Sequence, residues 1–305
     1  MTFIRSLLLF FCAAILTAGH ATAVSPTGTL LVSQDFTEAL VRILAEDTGI
    51  TTERVIPAEY SQDLHHHYLK KHWDAFSRLA GQADGVVTIA SAWPDDPLYP
   101  WARRANIRIV HIDAVRPLDN SRAGLPLLDI TGGKSTPPVW YSPGNTARMA
   151  DIVAADMIEL YPGVTEKINR NLNTFKRLLF KLRSRYEHAF GLLDTFEVVA
   201  LTTDAHYLAD EFGIIIIETF LKPELRWQQQ DIDRLTQVLE QADIRGVICA
   251  WEPKAAIKAS IDSLGAKIIL LKKFMLTEAA KPQDQLLAFY ATNLKRLLSG
   301  LQARQ

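Results

Sequence analysis

An apolar stripe with helical spacing occupies residues 164–190, and strand-like runs lie on both sides of it. Its apolar residues follow one another at steps of three or four, the spacing of one helix face. They are Ile168, Leu172, Phe175, Leu179, Leu182, Tyr186 and Phe190. No proline or glycine interrupts the segment, so it predicts one helix of roughly 40 Å at a rise of about 1.5 Å per residue. Such a helix could run along two domains, although an ordinary packing helix would show the same periodicity.

Short β-branched runs alternate with helical patterns before and after this helix, which is typical of parallel sheets covered on both faces. The predicted strands are 29–33, 54–57, 85–90, 107–113, 196–201, 213–218, 246–251 and 266–271. The other predicted helices are 36–47, 68–82, 98–105, 231–242 and 254–264. A loop over 129–145, with Asn145 capping the next helix, is the predicted crossing point. The sequence therefore predicts two α/β lobes.

The first 23 residues have the features of a secretory signal peptide. A basic residue, Arg5, precedes an apolar run over 7–16, and small residues at Ala21–Ala23 form a cleavage pattern. Cys12 lies inside the apolar run behind a phenylalanine, which argues against a lipid-anchored protein. We therefore expect a soluble protein exported to the periplasm.

Charge and motifs exclude several classes of protein. The formal net charge is −1, without a basic stripe, which argues against nucleic-acid binding. Cys249 is the only cysteine after the signal segment, so no internal disulfide is expected, and its apolar neighbours predict a packing role. No GxSxG, HExxH, phosphate-loop or GxGxxG pattern is present, so we expect a binding protein, as a monomer, and not an enzyme.

Three segments resemble the zinc and manganese substrate-binding proteins of ABC importers. They are "VWYSPGNTARMADIVAADMIELYPG" (139–163), "TDAHYLADEFGI" (203–214) and "PELRWQQQDIDRLTQVLEQADIRGVICAWEP" (223–253). The resemblance implies two Rossmann-like lobes with parallel sheets, joined by one long bridging α-helix, and a metal held between the lobes. The expected divisions are a signal peptide at 1–23, an N-terminal lobe at 24–160, the bridging helix at 161–193 and a C-terminal lobe at 194–305.

The resemblance also locates a ligand set, because the family usually holds its metal with three histidines and one carboxylate. The first ligand position corresponds to Asp63–Tyr68, but the other three fall on Pro138, Thr203 and Lys272, which offer no imidazole or carboxylate. The remaining candidate ligands are His65, His66, His67, Glu59, His206, Asp204 and Glu252. A site with so few family ligands is expected to bind more weakly, and to lose affinity as imidazoles protonate in acid.

Each candidate has a structural interpretation as well. The histidine run could be a solvated loop, Asp204 a helix cap, His206 a cap or hydrogen-bonding residue, and Glu252 a turn residue before proline. Trp140 and Trp251 could wall the cleft, but buried packing is the favoured interpretation for both.

The function implied by the resemblance is a periplasmic substrate-binding protein that delivers a divalent transition metal to an ABC transporter permease. Zn²⁺ is the expected cargo before Mn²⁺ or Cu²⁺. One alternative is an accessory or interaction protein of the same fold with a degenerate site. Another is a binder of a chelated metal or other small ligand, for which Lys272 and Lys273 favour an anionic one.

Overall fold

The computed structural model describes residues 28–302 except 118, 120–122, 131–137 and 243. The predicted signal peptide and part of the predicted loop at 129–145 lie outside the described residues. Within the described part, no helix combines the length and the apolar character that a membrane crossing requires.

The N-terminal lobe is a four-stranded parallel sheet with helices on its faces. Its strand order is β2-β1-β3-β4. The strands are β1 (Gly28–Val32), β2 (Ile50–Arg54), β3 (Gly85–Thr88) and β4 (Val110–Asp113). The helices are α1 (Asp35–Leu44), α2 (His65–Lys71), α3 (Trp73–Gln82) and α4 (Leu98–Ala105).

Two elements of this lobe differ from the sequence prediction. The second strand was predicted at 54–57 but ends at Arg54, because the polar sequence "ITTER" forms an edge strand that pairs only with β1. The predicted helix at 68–82 is two helices, because the backbone leaves helical geometry at His72, with φ −108° and ψ 28°. The first of them starts earlier, at His65.

The C-terminal lobe repeats the same topology. Its sheet is also parallel, with strand order β6-β5-β7-β8. The strands are β5 (Glu197–Ala200), β6 (Ile215–Thr219), β7 (Gly246–Cys249) and β8 (Lys267–Leu270). Its helices are α7 (His206–Glu211), α8 (Gln229–Gln241) and α9 (Ala255–Ser263). The central strand β7 is buried along its whole length, as its apolar sequence predicts.

Two helices connect the lobes: α5 (Pro143–Leu160) and α6 (Thr165–Phe190). The N-cap of α5 is Ser142 and not Asn145, because the Ser142 hydroxyl accepts a hydrogen bond from the Asn145 backbone N–H at 2.9 Å. Proline at the first helical position suits this start, since its missing N–H would have no partner inside the helix.

Helix α6 confirms the predicted bridging helix. Near its start, the Asn171 side chain donates to the backbone carbonyl of Leu44 in the N-terminal lobe at 3.0 Å. Near its end, the Tyr186 hydroxyl donates to the backbone carbonyl of Ala291 at 3.0 Å. Its buried residues include Ile168 and Phe190, so the apolar stripe faces the core along the helix. The architecture is the predicted one, two α/β lobes on one long helix.

A last helix, α10 (Pro282–Leu301), holds the lobes together and was not assigned from the sequence. Its Tyr290 hydroxyl lies 2.7 Å from the Trp140 carbonyl and 2.6 Å from the Thr146 hydroxyl. Tyr290, Phe36 and Phe175 are fully buried members of one apolar core that spans both lobes. The two sheets are therefore joined by shared packing and not by a flexible hinge alone.

Candidate ligand-binding site

In both lobes the candidate site residues follow the carboxyl ends of parallel strands. Glu59 and the 65–67 run come after β2, Asp204 and His206 come after β5, and Glu252 comes after β7. In each sheet the second strand in the chain lies on one side of the first strand and the third lies on the other. The switch points are therefore between β1 and β3 and between β5 and β7. Ligands of open α/β sheets gather outside the strand ends at such points.

The three consecutive histidines face different surroundings. His65 is buried, and its ring contacts Trp93 edge-on at 5.5 Å between centroids. Burial lowers the pKa of His65 to about 4, and its Nδ1 atom has no hydrogen-bond partner among the described residues. His66 and His67 are exposed, and the Nδ1 atom of His66 accepts a hydrogen bond from the Trp101 indole at 3.4 Å. The run is thus the first turn of α2, with one buried and two exposed histidines.

Glu59 lies on the surface of the same lobe. It is exposed, in a turn where the Tyr60 backbone N–H donates to the Pro57 carbonyl at 3.1 Å. The ring of Tyr60 then packs on Tyr68 at 4.7 Å. The Glu59 side chain is therefore open to solvent.

His206 has hydrogen bonds at both ring nitrogens. Its Nδ1 atom lies 2.9 Å from the backbone carbonyl of Thr203, and its Nε2 atom lies 3.1 Å from the Thr219 hydroxyl. A carbonyl only accepts, so Nδ1 donates and Nε2 accepts from the hydroxyl. Burial lowers the pKa of the ring, so it stays neutral near pH 7. A metal could use Nε2 only after displacing the Thr219 hydroxyl.

The two candidate carboxylates of the C-terminal lobe differ in exposure. Asp204 is half-buried; burial raises the pKa of its carboxyl group, and the positive charge of Lys273 opposes this. Glu252 is exposed and forms an ion pair with Lys258 at 2.9 Å. Asp204 is consequently the better placed of the two to face a ligand in the cleft.

Among the described residues, no group of three His, Cys, Asp or Glu side chains lies where it could hold a metal ion. His65 is buried against its own lobe, and His206 is bound within the other. The seven candidate ligands share a sheet edge in each lobe but do not converge in this arrangement.

An open cleft of about 710 Å³ lies at the switch point between β5 and β7. Three loops line it, those after β5, β6 and β7. Its lining residues are Leu201, Thr202, Thr203, Asp204, Leu221, Lys222, Pro223, Glu224, Leu225, Trp251, Glu252 and Lys254. Asp204, Glu252 and the cleft-wall role of Trp251 were considered from the sequence, but Glu224 and Lys254 were not. Both lie in loops that follow the carboxyl ends of parallel strands, β6 and β7, and that position is the signal that could have found them.

Trp251 corrects the packing interpretation. Its side chain is 45% exposed, and its Nε1–H donates to Glu224 at 2.7 Å. Trp140 does pack as expected, stacking on Phe36 at 5.3 Å. The two tryptophans differ because Trp140 precedes a helix of the shared core, whereas Trp251 lies in the loop after β7 at the open edge.

The cysteine of β7 is a packing residue. Cys249 is fully buried at the end of β7, and burial raises the pKa of its thiol to about 12. The thiol is therefore protonated at neutral pH and unsuited to nucleophilic attack.

Comparison with known families identifies the chain. The family model of the zinc-uptake complex component A, periplasmic, matches residues 29–300. The chain belongs to that family. The family consists of periplasmic substrate-binding components of metal importers and not of enzymes. No curated protein sequence matches the chain.

Solved structures of the same fold cover almost the whole chain. A mutant of FpvC from Pseudomonas aeruginosa aligns with a TM-score of 0.71 and 16% identity, covering 89% of this chain and 99% of that one. The periplasmic metal-binding protein of Candidatus Liberibacter asiaticus aligns at 0.71 and 13%, covering 90% and 100%. A zinc-bound ZnuA deletion mutant aligns at 0.65 and 16%, covering 91% and 99%. At these identities the likeness establishes the fold.

Three family ligand positions carry Pro138, Thr203 and Lys272 in this chain, and each makes contacts within the fold. Pro138 precedes the turn that leads to α5. Thr203 uses its carbonyl for His206. The backbone N–H and carbonyl of Lys272 are both bound by the Asn293 side chain, at 2.7 and 3.0 Å, and its own side chain is exposed. These three positions thus make local backbone contacts within the fold and supply no imidazole or carboxylate.

Proposed function

We propose that this protein is the substrate-binding component of an ABC importer in the periplasm and that its cargo is a divalent transition metal, with Zn²⁺ before Mn²⁺ or Cu²⁺. Family membership over residues 29–300 is the observation that carries the proposal. The joined core and the bridging helix support it, because a stiff frame keeps both sheet edges at a fixed separation for capture and release. A monomer would present the cargo to the ABC transporter permease.

The proposed ligands come from both lobes: from the 65–67 run with Glu59, and from His206 with Asp204 or Glu252. Asp204 needs no rearrangement, because its carboxylate already lines the open cleft. His65 would have to leave Trp93, and His206 would have to release the Thr219 hydroxyl. Both moves cost free energy, so we expect weaker binding than in a preformed cage of four protein ligands.

Equilibrium dialysis of the chelator-stripped protein against zinc, manganese and copper tests the proposal. We expect stoichiometric uptake, strongest for zinc, that weakens in acid as the imidazole ligands protonate. The absence of stoichiometric uptake of any of the three ions would overturn the proposal for bare metal.

Two variants test the ligand set: His65, His66 and His67 all changed to Ala, and His206→Ala alone. We expect both to lose affinity, at least about tenfold each. His188→Ala is the matched control, because this exposed histidine lies in the last turn of α6 and is not a proposed ligand. Unchanged binding by the triple variant would remove the run from the site. Loss in the triple variant alone would indicate a site within one lobe.

A second candidate function is an accessory or interaction protein of the same fold. The observation that favours it is that both His206 nitrogens are already hydrogen-bonded. Affinity purification of the protein together with a permease would argue against this candidate, whereas a permease-independent partner and no metal uptake would support it.

A further inference from the structure

The cleft between β5 and β7 is too large for a bare ion. A divalent metal bound at about 2 Å by its ligands occupies roughly the space of a few water molecules of about 30 Å³ each. The cleft measures about 710 Å³, within the range of about 300–1,000 Å³ in which organic ligands bind. Its position at the switch point of the C-terminal sheet is where ligands of open α/β sheets collect.

One wall of the cleft is a fixed, exposed indole. The Trp251 Nε1–H donates to one carboxylate oxygen of Glu224 at 2.7 Å. The other oxygen of Glu224 accepts the backbone N–H of Lys254 at 3.1 Å. These bonds tie the loop after β6 to the loop after β7 and hold the ring in place. Beside it, Leu225 is 85% exposed, so the apolar surface of the cleft is open to a ligand.

The charges of the cleft are divided between paired and unpaired groups. Lys222 is paired with Asp231 at 2.6 Å, and Glu252 with Lys258 at 2.9 Å. Glu224 is used by the two hydrogen bonds above. Within the described part of the chain, neither the Asp204 carboxylate nor the Lys254 ammonium forms an ion pair within 4.0 Å. The cleft therefore presents the Asp204 carboxylate, on which Thr202 and the charge of Lys273 also act, and the Lys254 ammonium beside an apolar wall.

We propose that this cleft takes its metal as the complex of a small amino-carboxylate chelator. This inference rests on the importer function proposed above and names the form of its cargo. The chelator supplies most of the metal's ligands, which fits a site where no three of the described protein side chains converge as ligands. Asp204 faces the positive metal centre, Lys254 faces a carboxylate of the chelator, and Trp251 packs on its organic part.

Dialysis with doubly labelled cargo tests the inference. The chelator-stripped protein is equilibrated with labelled zinc alone, and with labelled zinc complexed to labelled histidine, iminodiacetate or nitrilotriacetate. Zinc–bipyridine is the control complex, because bipyridine has no carboxylate for Lys254. We expect zinc and at least one amino-carboxylate to be retained together at equal stoichiometry, at least about tenfold more tightly than zinc–bipyridine.

Three variants sharpen this test. Trp251→Ala and Lys254→Ala should each weaken retention of the complex by about tenfold or more, whereas Trp251→Phe should keep most of it, because an aromatic wall remains. Lys254→Ala leaves the backbone bond to Glu224 intact. Lys70→Ala, an exposed lysine of the N-terminal lobe, is the matched control for lost charge. Thermal unfolding of each variant confirms that it is folded.

The outcomes separate the inference from the function beneath it. Tight uptake of zinc without any retained chelator overturns the inference and leaves the metal-import proposal standing. Retention of the complex that is unchanged in Trp251→Ala and Lys254→Ala also overturns it, because the complex would bind elsewhere. If neither the bare ions nor any complex is retained, both proposals fail.

Discussion

The two lobes have the same strand topology, yet their sheet edges differ in access. At the edge of the N-terminal sheet, polar side chains are buried: Gln34 is 8% exposed, His65 3% and Asp96 4%. Each of the three has a side-chain atom without a hydrogen-bond partner among the described residues. At the edge of the C-terminal sheet, Trp251 is exposed and Asp204 lines an open cleft. Topology fixes where a site can form, but loop packing decides which edge a ligand can reach.

The largest expected effect is on the contact that joins the lobes. The side chain of Glu211 on α7 is 7% exposed. It lies 2.8 Å from Arg183 on the bridging helix and accepts hydrogen bonds from the Gly144 backbone N–H, at 3.0 Å, and from the Ser142 hydroxyl. Glu211→Ala should lower the free energy of unfolding by about 3 kcal/mol, because it leaves buried donors unpaired. Urea unfolding measures this. Glu187→Ala, which removes the exposed partner of Arg183, should cost less than about 0.5 kcal/mol.

If Glu211→Ala and Glu187→Ala lower the free energy of unfolding by the same amount, Glu211 acts as an ordinary surface charge. The lobes would then be joined by apolar packing alone. Two separate unfolding transitions in Glu211→Ala would show that the lobes had become independent.

The second prediction concerns Asp96, a buried carboxylate at the edge of the N-terminal sheet, whose removal should make the protein more stable at neutral pH. Burial raises the pKa of Asp96 to about 6, and the nearby Asp113 adds to this. Because the pKa in the folded state exceeds that in the unfolded state, stability falls as pH rises from about 4 to about 6. Asp96→Asn should therefore gain about 2 kcal/mol at neutral pH and nothing near pH 3.5. In the native protein the Leu98 backbone N–H donates to the Asp96 carboxylate at 3.0 Å. The amide oxygen of the asparagine can still accept this hydrogen bond.

Urea unfolding at the two pH values measures the difference. An Asp96→Asn variant that is less stable than the parent at neutral pH would mean that the carboxylate has a partner and that this edge is not closed.

A smaller loss is expected at the histidine of the C-terminal edge. His206→Ala removes hydrogen bonds to the Thr203 carbonyl and the Thr219 hydroxyl from a half-buried ring. We expect a loss of about 1 kcal/mol in urea unfolding of the metal-free protein. His206→Gln should lose less stability than His206→Ala, because the side-chain amide can also donate and accept hydrogen bonds. No loss at all would show that the ring is free and available as a ligand.

The smallest effect is expected in the exposed part of the histidine run. His66→Ala combined with His67→Ala should change the free energy of unfolding by less than about 0.5 kcal/mol, because both side chains face solvent. His65→Ala should cost clearly more, since its ring fills space against Trp93. Equal losses for the two variants in thermal unfolding would contradict the division of the run into one buried and two exposed residues.

The sequence was informative where the cause of structure is local. The stripe in α6 and the apolar strands β5 and β7 are readable because periodicity shows which face must be buried. The polar edge strand β2 was misplaced, because its pairing with β1 compensates for a weak apolar signal. Helix α10 was left unassigned, although its burial of Tyr290 joins the two lobes.

For the site, the sequence by itself determined which chemical groups follow which strands, and it showed that the family ligand positions Pro138 and Lys272 carry other residues. Only the tertiary structure decided where those groups point. His65 turns into its own lobe against Trp93, the His206 ring is bound to Thr219 from another strand, and Trp251 stays exposed. The physical reason is that the direction of a side chain depends on packing and hydrogen-bond partners distant in the chain, which spacing along a single segment does not encode.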